Sequence, residues 1–233
     1  MKFNVFCTEN VKSDPQLSSI LDDHKRVCDH LGIEVEYHFK PFVAYDQAAY
    51  DHGHMITDII KNNDGVSCFM DLDCLPWNRN ILQAAYDWCV ESRSFIGNAQ
   101  NVSHTSMREY VYAAPSMMMV HRDAWEYLGS PSMAVVQQNP DYNNEYVDTA
   151  QQLSLNALQK NFNFQVLWPL GVDKPQWVLK EGVFTGTGTK YPGSYHYFKG
   201  ATEIGQDLDL WKSRVDDILN DREIISGHRN EKA

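Results

Sequence analysis

No stretch of this 233-residue chain approaches the roughly 18 consecutive apolar residues of a membrane span, and Met1-Lys2-Phe3-Asn4 enters a strand-like segment without an apolar leader. The expectation is a cytoplasmic protein with no membrane partner. Basic charge is scarce: 20 Lys and Arg stand against 31 Asp and Glu, a formal net charge of −11, with no basic run. Proteins that bind duplex DNA without sequence preference do so by neutralising phosphates, so tight binding of that kind is not expected. Cysteine gives no framework either. Cys7, Cys28, Cys68, Cys74 and Cys89 are an odd set without a CxxC, which points to reduced, packed thiols, and no Cys/His spacing suits zinc.

What is present is a foldable composition, 43% apolar with 12% aromatics and 22% charged residues. At about 150 residues per domain, and with no repeat or long linker, residues 1–233 read as one domain. Lys2 to Cys7 is a short apolar run. Ser13-Asp14-Pro15-Gln16 reads as a capping box with Ser13 as N-cap, followed by Leu17, Ile20, Leu21, Cys28 and Leu31 at helical spacing and Gly32 as the C′ residue. Ile33 to Phe39 alternates like a strand with one wet face. Helices are expected near 47–62 and 78–92, on either side of an apolar strand at Val66 to Met70.

Strand, helix, strand, helix, strand, helix predicts a doubly wound α/β start with parallel strands, its ligand site at the carboxyl ends of the strands. Farther on, Ser116 to Val120 reads as a buried strand with Met117, Met118 and Met119 as core filler. A helix is expected near Ala124, another over Val147 to Asn161, a strand at Phe164 to Leu167, and a C-terminal helix at Leu208, Trp211, Val215, Ile218 and Leu219. Gly182 to Gly193 reads as a Gly/Thr-rich loop able to close over a ligand. Asn98, Gln100, Asn101 and His104 read as a polar loop that could line a pocket. Trp77, Trp125, Trp168, Trp177 and Tyr191 offer stacking surfaces, though each is core by default.

The residues with the clearest chemistry are Asp71 and Asp73. With 20 aspartates in the chain, chance supplies about 1.7 Asp-x-Asp pairs, and there are two, so context decides. Asp207 and Asp209 open an amphipathic helix, where acidic residues suit the dipole. Asp71 and Asp73 follow a buried strand, where alternate residues point to one side of the pleat and two like charges converge. Such a pair needs a cation, a proton or several donors, and Mg²⁺ or Mn²⁺ prefers hard oxygen ligands of this kind.

The segment FMDLDCLPWN (69–78) resembles the "hydrophobic run, D-x-D, x-x-P" segment of GT-A-fold glycosyltransferases, which use nucleoside-diphosphate sugars. APSMMMVHRDAWEYLG (114–129), DTAQQLSLN (148–156) and SYHYFKG (194–200) are similar, in the same order, to that family's acceptor-side strand, sugar-facing helix and C-terminal metal segment. The resemblance implies a GT-A domain, an α/β fold with a Rossmann-like, doubly wound mixed sheet, with residues 1–100 as nucleotide-binding half, 101–200 as acceptor half with the metal and lid segment, and 201–233 as C-terminal helix and tail. It implies Asp71, Asp73 and His196 as metal ligands, with Asp71 also near ribose or phosphate, and Lys199 with the backbone at Gly200 on the diphosphate. Thr8 and Asn10, just past the first strand, would meet base or ribose. Asp148 would serve as base for the acceptor hydroxyl or face the donor sugar, with Gln151 beside it. The family's usual Glu-Asp or Asp-Glu acid pair is replaced by Asp148-Thr149, with Glu145 upstream, so retention and inversion both stay open.

The implied activity is transfer of a sugar from a nucleoside-diphosphate sugar, UDP favoured, to an acceptor hydroxyl, with Mn²⁺ or Mg²⁺. Small-molecule, glycan, protein and modified-nucleobase acceptors all stay open. A nucleotidyltransferase on the same fold is the alternative, but Cys7-Thr8-Glu9-Asn10-Val11 lacks the Gly-rich, Lys/Arg-containing run such enzymes carry. A phosphohydrolase with Asp71 as nucleophile would put Asp-x-Asp on the first strand. A binding module for sugar nucleotides or glycans, without turnover, is the non-enzyme reading.

Overall fold

The computed structural model describes residues 1–101, 110–139, 145–180, 182–198 and 208–230. The chain opens with β1 (Lys2–Thr8), a 3-10 turn at Glu9–Lys12, α1 (Pro15–His30), β2 (Glu34–Lys40), α2 (Tyr45–Lys61), β3 (Val66–Asp71) and β4 (Cys74–Pro76). Next come α3 (Arg79–Ser92), β5 (Phe95–Asn101), β6 (Val111–His121), α4 (Arg122–Tyr127), β7 (Val136–Asn139), β8 (Glu145–Val147) and α5 (Gln151–Gln159). The described elements end with β9 (Gln165–Leu167), β10 (Gly171–Lys180), β11 (Val183–Tyr191), β12 (Ser194–His196), α6 (Leu208–Leu219) and β13 (His228–Arg229). The architecture is mixed α/β, with parallel and antiparallel strand pairs, as expected. No helix among the described residues is long and apolar enough to cross a membrane.

The chain divides into two compact units, one of residues 1–41, 70–84 and 168–233, the other of 42–69 and 85–167. In the first, β1 and β2 run parallel from Lys2 opposite Glu34 to Thr8 opposite Lys40, joined through α1 as a βαβ crossover. Phe3, Val5 and Cys7 alternate into the core, while Lys2 and Glu36 pair on the wet side. Asp14, not Ser13, caps α1. Its Oδ1 accepts from the Gln16 and Leu17 amides, and Pro15 fills the first helical position, whose missing N–H costs nothing there. The Ser13 hydroxyl donates instead to the Asn10 carbonyl. Gly32 has the left-handed φ of 62° expected just past the helix end.

The first unit also holds an antiparallel sheet in the order β13-β10-β11-β12-β4. Gly182 to Gly193 is therefore mostly strand and not a loop. Val172 pairs with Thr189 and Pro175 with Gly186, the Thr189 hydroxyl donates to the Gly186 carbonyl, and β-branched threonines suit the ladder. Gly186 is needed for close approach, since a Cβ there would lie 2.1 Å from the Lys174 carbonyl oxygen. Trp77 is committed to this sheet, its indole N–H shared between the Tyr191 and Ser194 carbonyls. Helix α6 is tied to α1 through buried Asp23, which accepts from the Trp211 indole at 3.1 Å and the Lys212 ammonium at 2.5 Å.

In the second unit, β5 pairs antiparallel with β6 and parallel with β9, and β7 pairs with β8. Met117, Met118 and Met119 are fully buried, as expected for core filler. Asn98, Gln100 and Asn101 lie on β5 and not in a polar loop; Asn98 is fully buried and donates to the Ser116 hydroxyl. The Trp125 indole bonds the Pro131 carbonyl. Helix α5 starts at Gln151, four residues later than expected, because Val147 belongs to β8 and Ala150 caps the helix with a φ of 63°. His104, Lys199, Gly200 and Asp207 lie outside the described residues.

Candidate metal centre

The strand β3 is buried along VSCFM and ends at Asp71. The chain then turns at Leu72 and Asp73 and re-enters a sheet as β4. The two carboxylates thus converge across a tight turn and not along one pleat as expected, and Pro76 ends β4. On the other side, β12 pairs with β4, with His196 opposite Cys74, and the Tyr197 amide donates to the Asp73 carbonyl at 2.8 Å. This ladder places an imidazole against two carboxylates far away in sequence.

The His196 Nε2 lies 3.4 Å from an Asp73 oxygen and 3.9 Å from an Asp71 oxygen. One ligand atom from each of the three residues falls within 4.8 Å of the others. Octahedral bonds near 2.1 Å place neighbouring ligand atoms about 3 Å apart and opposite ones about 4 Å apart, so both observed separations suit a shared hard cation. Asp73 and His196 side chains are 8% and 7% exposed and Asp71 is 28% exposed, leaving an opening on the Asp71 side. Burial works against the imidazolium of His196, but the charge and hydrogen bond of Asp73 and the charge of Asp71 outweigh it, so the pKa is raised above 6.5. A proton on His196 would offset part of the charge of the two carboxylates. Burial, then the charges of Asp71 and Asp73, push the fully buried Cys74 thiol far up, so it stays protonated beside the centre.

Two supports hold the centre from behind. The Tyr195 hydroxyl, next to His196, donates to Asp173, which also accepts from Arg214 at 2.8 Å and the Gly227 amide at 3.0 Å. Gly188, with a φ of 75°, makes room for this contact, since a Cβ there would lie 2.4 Å from the Tyr195 hydroxyl. On the α1 side, fully buried His24 has its Nδ1 2.8 Å from the Tyr37 hydroxyl. Burial drives the His24 pKa down to about 4, with the Cys74 backbone and the Asp73 charge opposing.

An imidazole that titrates at 6.5 when unfolded and at about 4 when folded stabilises the fold fully above pH 6.5. That contribution is lost as pH falls toward 4, at about 1.4 kcal/mol per unit. Urea unfolding of wild type and His24→Gln from pH 7 to 4 is expected to show the steeper loss in wild type. Parallel slopes would contradict the assignment.

Thr8 and Asn10 stand at the carboxyl end of β1, in the same unit, both half-buried, with the Thr8 hydroxyl donating to the Asn10 side chain. Asp148 and Gln151 belong to the other unit. There they brace each other: the Asp148 amide donates to the Gln151 side chain at 2.8 Å, Asp148 accepts from the Tyr112 hydroxyl at 3.1 Å, and the Gln151 amide nitrogen donates to the Tyr110 hydroxyl. Asp173 and Arg214 lie far from any motif and carry no local signal. Phe198 likewise carries no signal of its own in the sequence. Its ring centroid lies 4.7 Å from that of His196 and 4.8 Å from that of Trp177.

Fold and site together define a mixed α/β protein with a carboxylate, carboxylate, imidazole centre suited to a hard divalent cation. No protein-family model and no curated protein matches the sequence. Among solved structures, the chain is similar to a glycosyltransferase involved in the glycosylation of the major capsid of PBCV-1, with a TM-score of 0.35 and 10% identity over 55% of this chain and 63% of that one. It thus spans less than two thirds of that protein. It is also similar to a mutant Drosophila β-1,4-galactosyltransferase 7 in complex with manganese, UDP-Gal and xylobiose, with a TM-score of 0.42 and 10% identity over 97% of this chain and 82% of that one.

Proposed function

We propose that the protein is a metal-dependent glycosyltransferase that moves a sugar from a nucleoside-diphosphate donor, UDP favoured, to an acceptor hydroxyl, with residues 1–233 forming one GT-A domain. The observation that carries this reading is the convergence of Asp71, Asp73 and His196 at the end of β3, inside the FMDLDCLPWN segment. Two carboxylates and one imidazole would hold Mn²⁺ or Mg²⁺. When bound, that ion supplies positive charge to a diphosphate leaving group.

The chain's own residues do the rest. Asp71, the most open of the three, faces the side from which a diphosphate would approach. Asp73 and His196, both buried, fix the position of the centre and exclude water behind it. Thr8 and Asn10 would contact base or ribose at the end of β1. By resemblance alone, Lys199 and the backbone at Gly200 are assigned to the diphosphate, and Asp148 with Gln151 to the acceptor or donor sugar.

Metal-dependent release of the nucleoside diphosphate, assayed with a panel of UDP- and GDP-sugars, tests the reading. Slow donor hydrolysis with at least one sugar nucleotide in Mn²⁺, absent in EDTA, is the expected result. Binding of sugar nucleotides without release from any of them would instead make the protein a binding module.

A further inference from the structure

Phe198 adopts a φ of 64°, in the left-handed region that bulky side chains rarely occupy. That backbone lays its ring against buried His196 on one side and against Trp177 of β10 on the other. Phe198 and Trp177 are both half-buried, so an aromatic path starts at the candidate metal centre and ends at the surface. Trp177 lies where the β10–β11 register shifts after Pro175, and the neighbouring Gln176 amide donates to the Thr187 hydroxyl at 3.1 Å on an exposed edge. Trp77 and Trp211, by contrast, spend their indole N–H groups inside the fold.

An aromatic face carries partial negative charge and attracts polarised C–H groups, while an amide and a hydroxyl at its rim both donate and accept hydrogen bonds. A pyranose ring offers the matching surface, with axial C–H groups on a face and hydroxyls around its edge. We propose that Trp177 and Phe198 form a stacking platform for a pyranose of the acceptor, with Gln176 and Thr187 as its polar rim. This rests on the glycosyltransferase reading, in which Thr8 and Asn10 take the base or ribose, leaving the aromatic pair beside His196 for the sugar end. The acceptor class it selects is a glycan or glycoside.

Saturation-transfer NMR tests this with methyl α- and β-pyranosides of glucose, galactose, mannose and xylose, in UDP and Mg²⁺. At least one glycoside is expected to receive saturation on the C–H groups of one face. Trp177→Ala and Phe198→Gly, the latter suited to the positive φ, should each cut that signal about tenfold, and Trp177→Phe should retain most of it. No signal from any glycoside, or equal signals in wild type and Trp177→Ala, would overturn the platform. Calorimetry of UDP, GDP, ADP and CDP with Mg²⁺ on the same proteins separates the two readings. Wild type that binds none of UDP, GDP, ADP and CDP sinks the glycosyltransferase reading, and nucleotide affinity lost in Trp177→Ala places the base on the rings and overturns the sugar assignment.

Discussion

Asp73→Asn is expected to weaken metal-dependent nucleotide binding by at least a hundredfold, on the order of a lost charged ligand at a hard-cation site. Asparagine keeps the shape of the side chain and the backbone carbonyl that accepts from Tyr197. It removes the charge that, with Asp71, would hold the cation. Calorimetry with UDP and Mn²⁺ reads the loss, and circular dichroism checks that the fold persists. The same titration carries a pH signature. Asp73 and Asp71 outweigh burial and raise the His196 pKa above its ordinary 6.5, and a metal ligand must be neutral, so metal affinity should fall as pH is lowered, from a higher pH than an ordinary histidine would give. Undiminished binding in Asp73→Asn would remove this residue from the centre.

The second large effect is expected at a residue that touches no ligand. Asp173→Ala removes the carboxylate that receives Arg214, the Tyr195 hydroxyl and the Gly227 amide. Arg214 is 12% and Asp173 6% exposed, so the variant strips a guanidinium in a largely dry site of its main partner, leaving it Asp217, the Ile225 carbonyl and the Tyr195 ring among the described residues. Breaking a buried pair from one side costs about 3–5 kcal/mol, well within reach of urea unfolding. Because Tyr195 precedes His196 on β12, the loss should also weaken Mn²⁺ binding. Asp173→Asn, which keeps acceptor capacity without the charge, should recover part of both. A change below about 1 kcal/mol in Asp173→Ala would show that the network is solvated and idle.

The parts of this account legible from the sequence are those that depend on local pattern. The apolar run before Asp71, the amphipathic spacing of α1 and α6, and Gly32 after α1 each follow from neighbours within a few residues. The resemblance groups Asp71, Asp73 and His196, and the structure brings the three together, although by a turn and not by alternation along one strand. Local pattern and structure part where long-range pairing overrides composition. Gly182 to Gly193 looks like a loop, but threonines facing β10 make it a strand, and the glycines let the two backbones approach. Asn98 looks like loop material and is a fully buried strand residue because Ser116 meets it across the sheet. Asp173 and Arg214 left no trace, since an ion pair 41 residues apart has no local signature.

In the proposed function a divalent cation joins this chain to a nucleoside diphosphate. Calorimetry with UDP, GDP, ADP and CDP, each in Mn²⁺ and again in EDTA, measures it most directly. Binding of at least one nucleotide in Mn²⁺, lost in EDTA and in Asp73→Asn, is the predicted result. Equal affinity with metal and with chelator would contradict it.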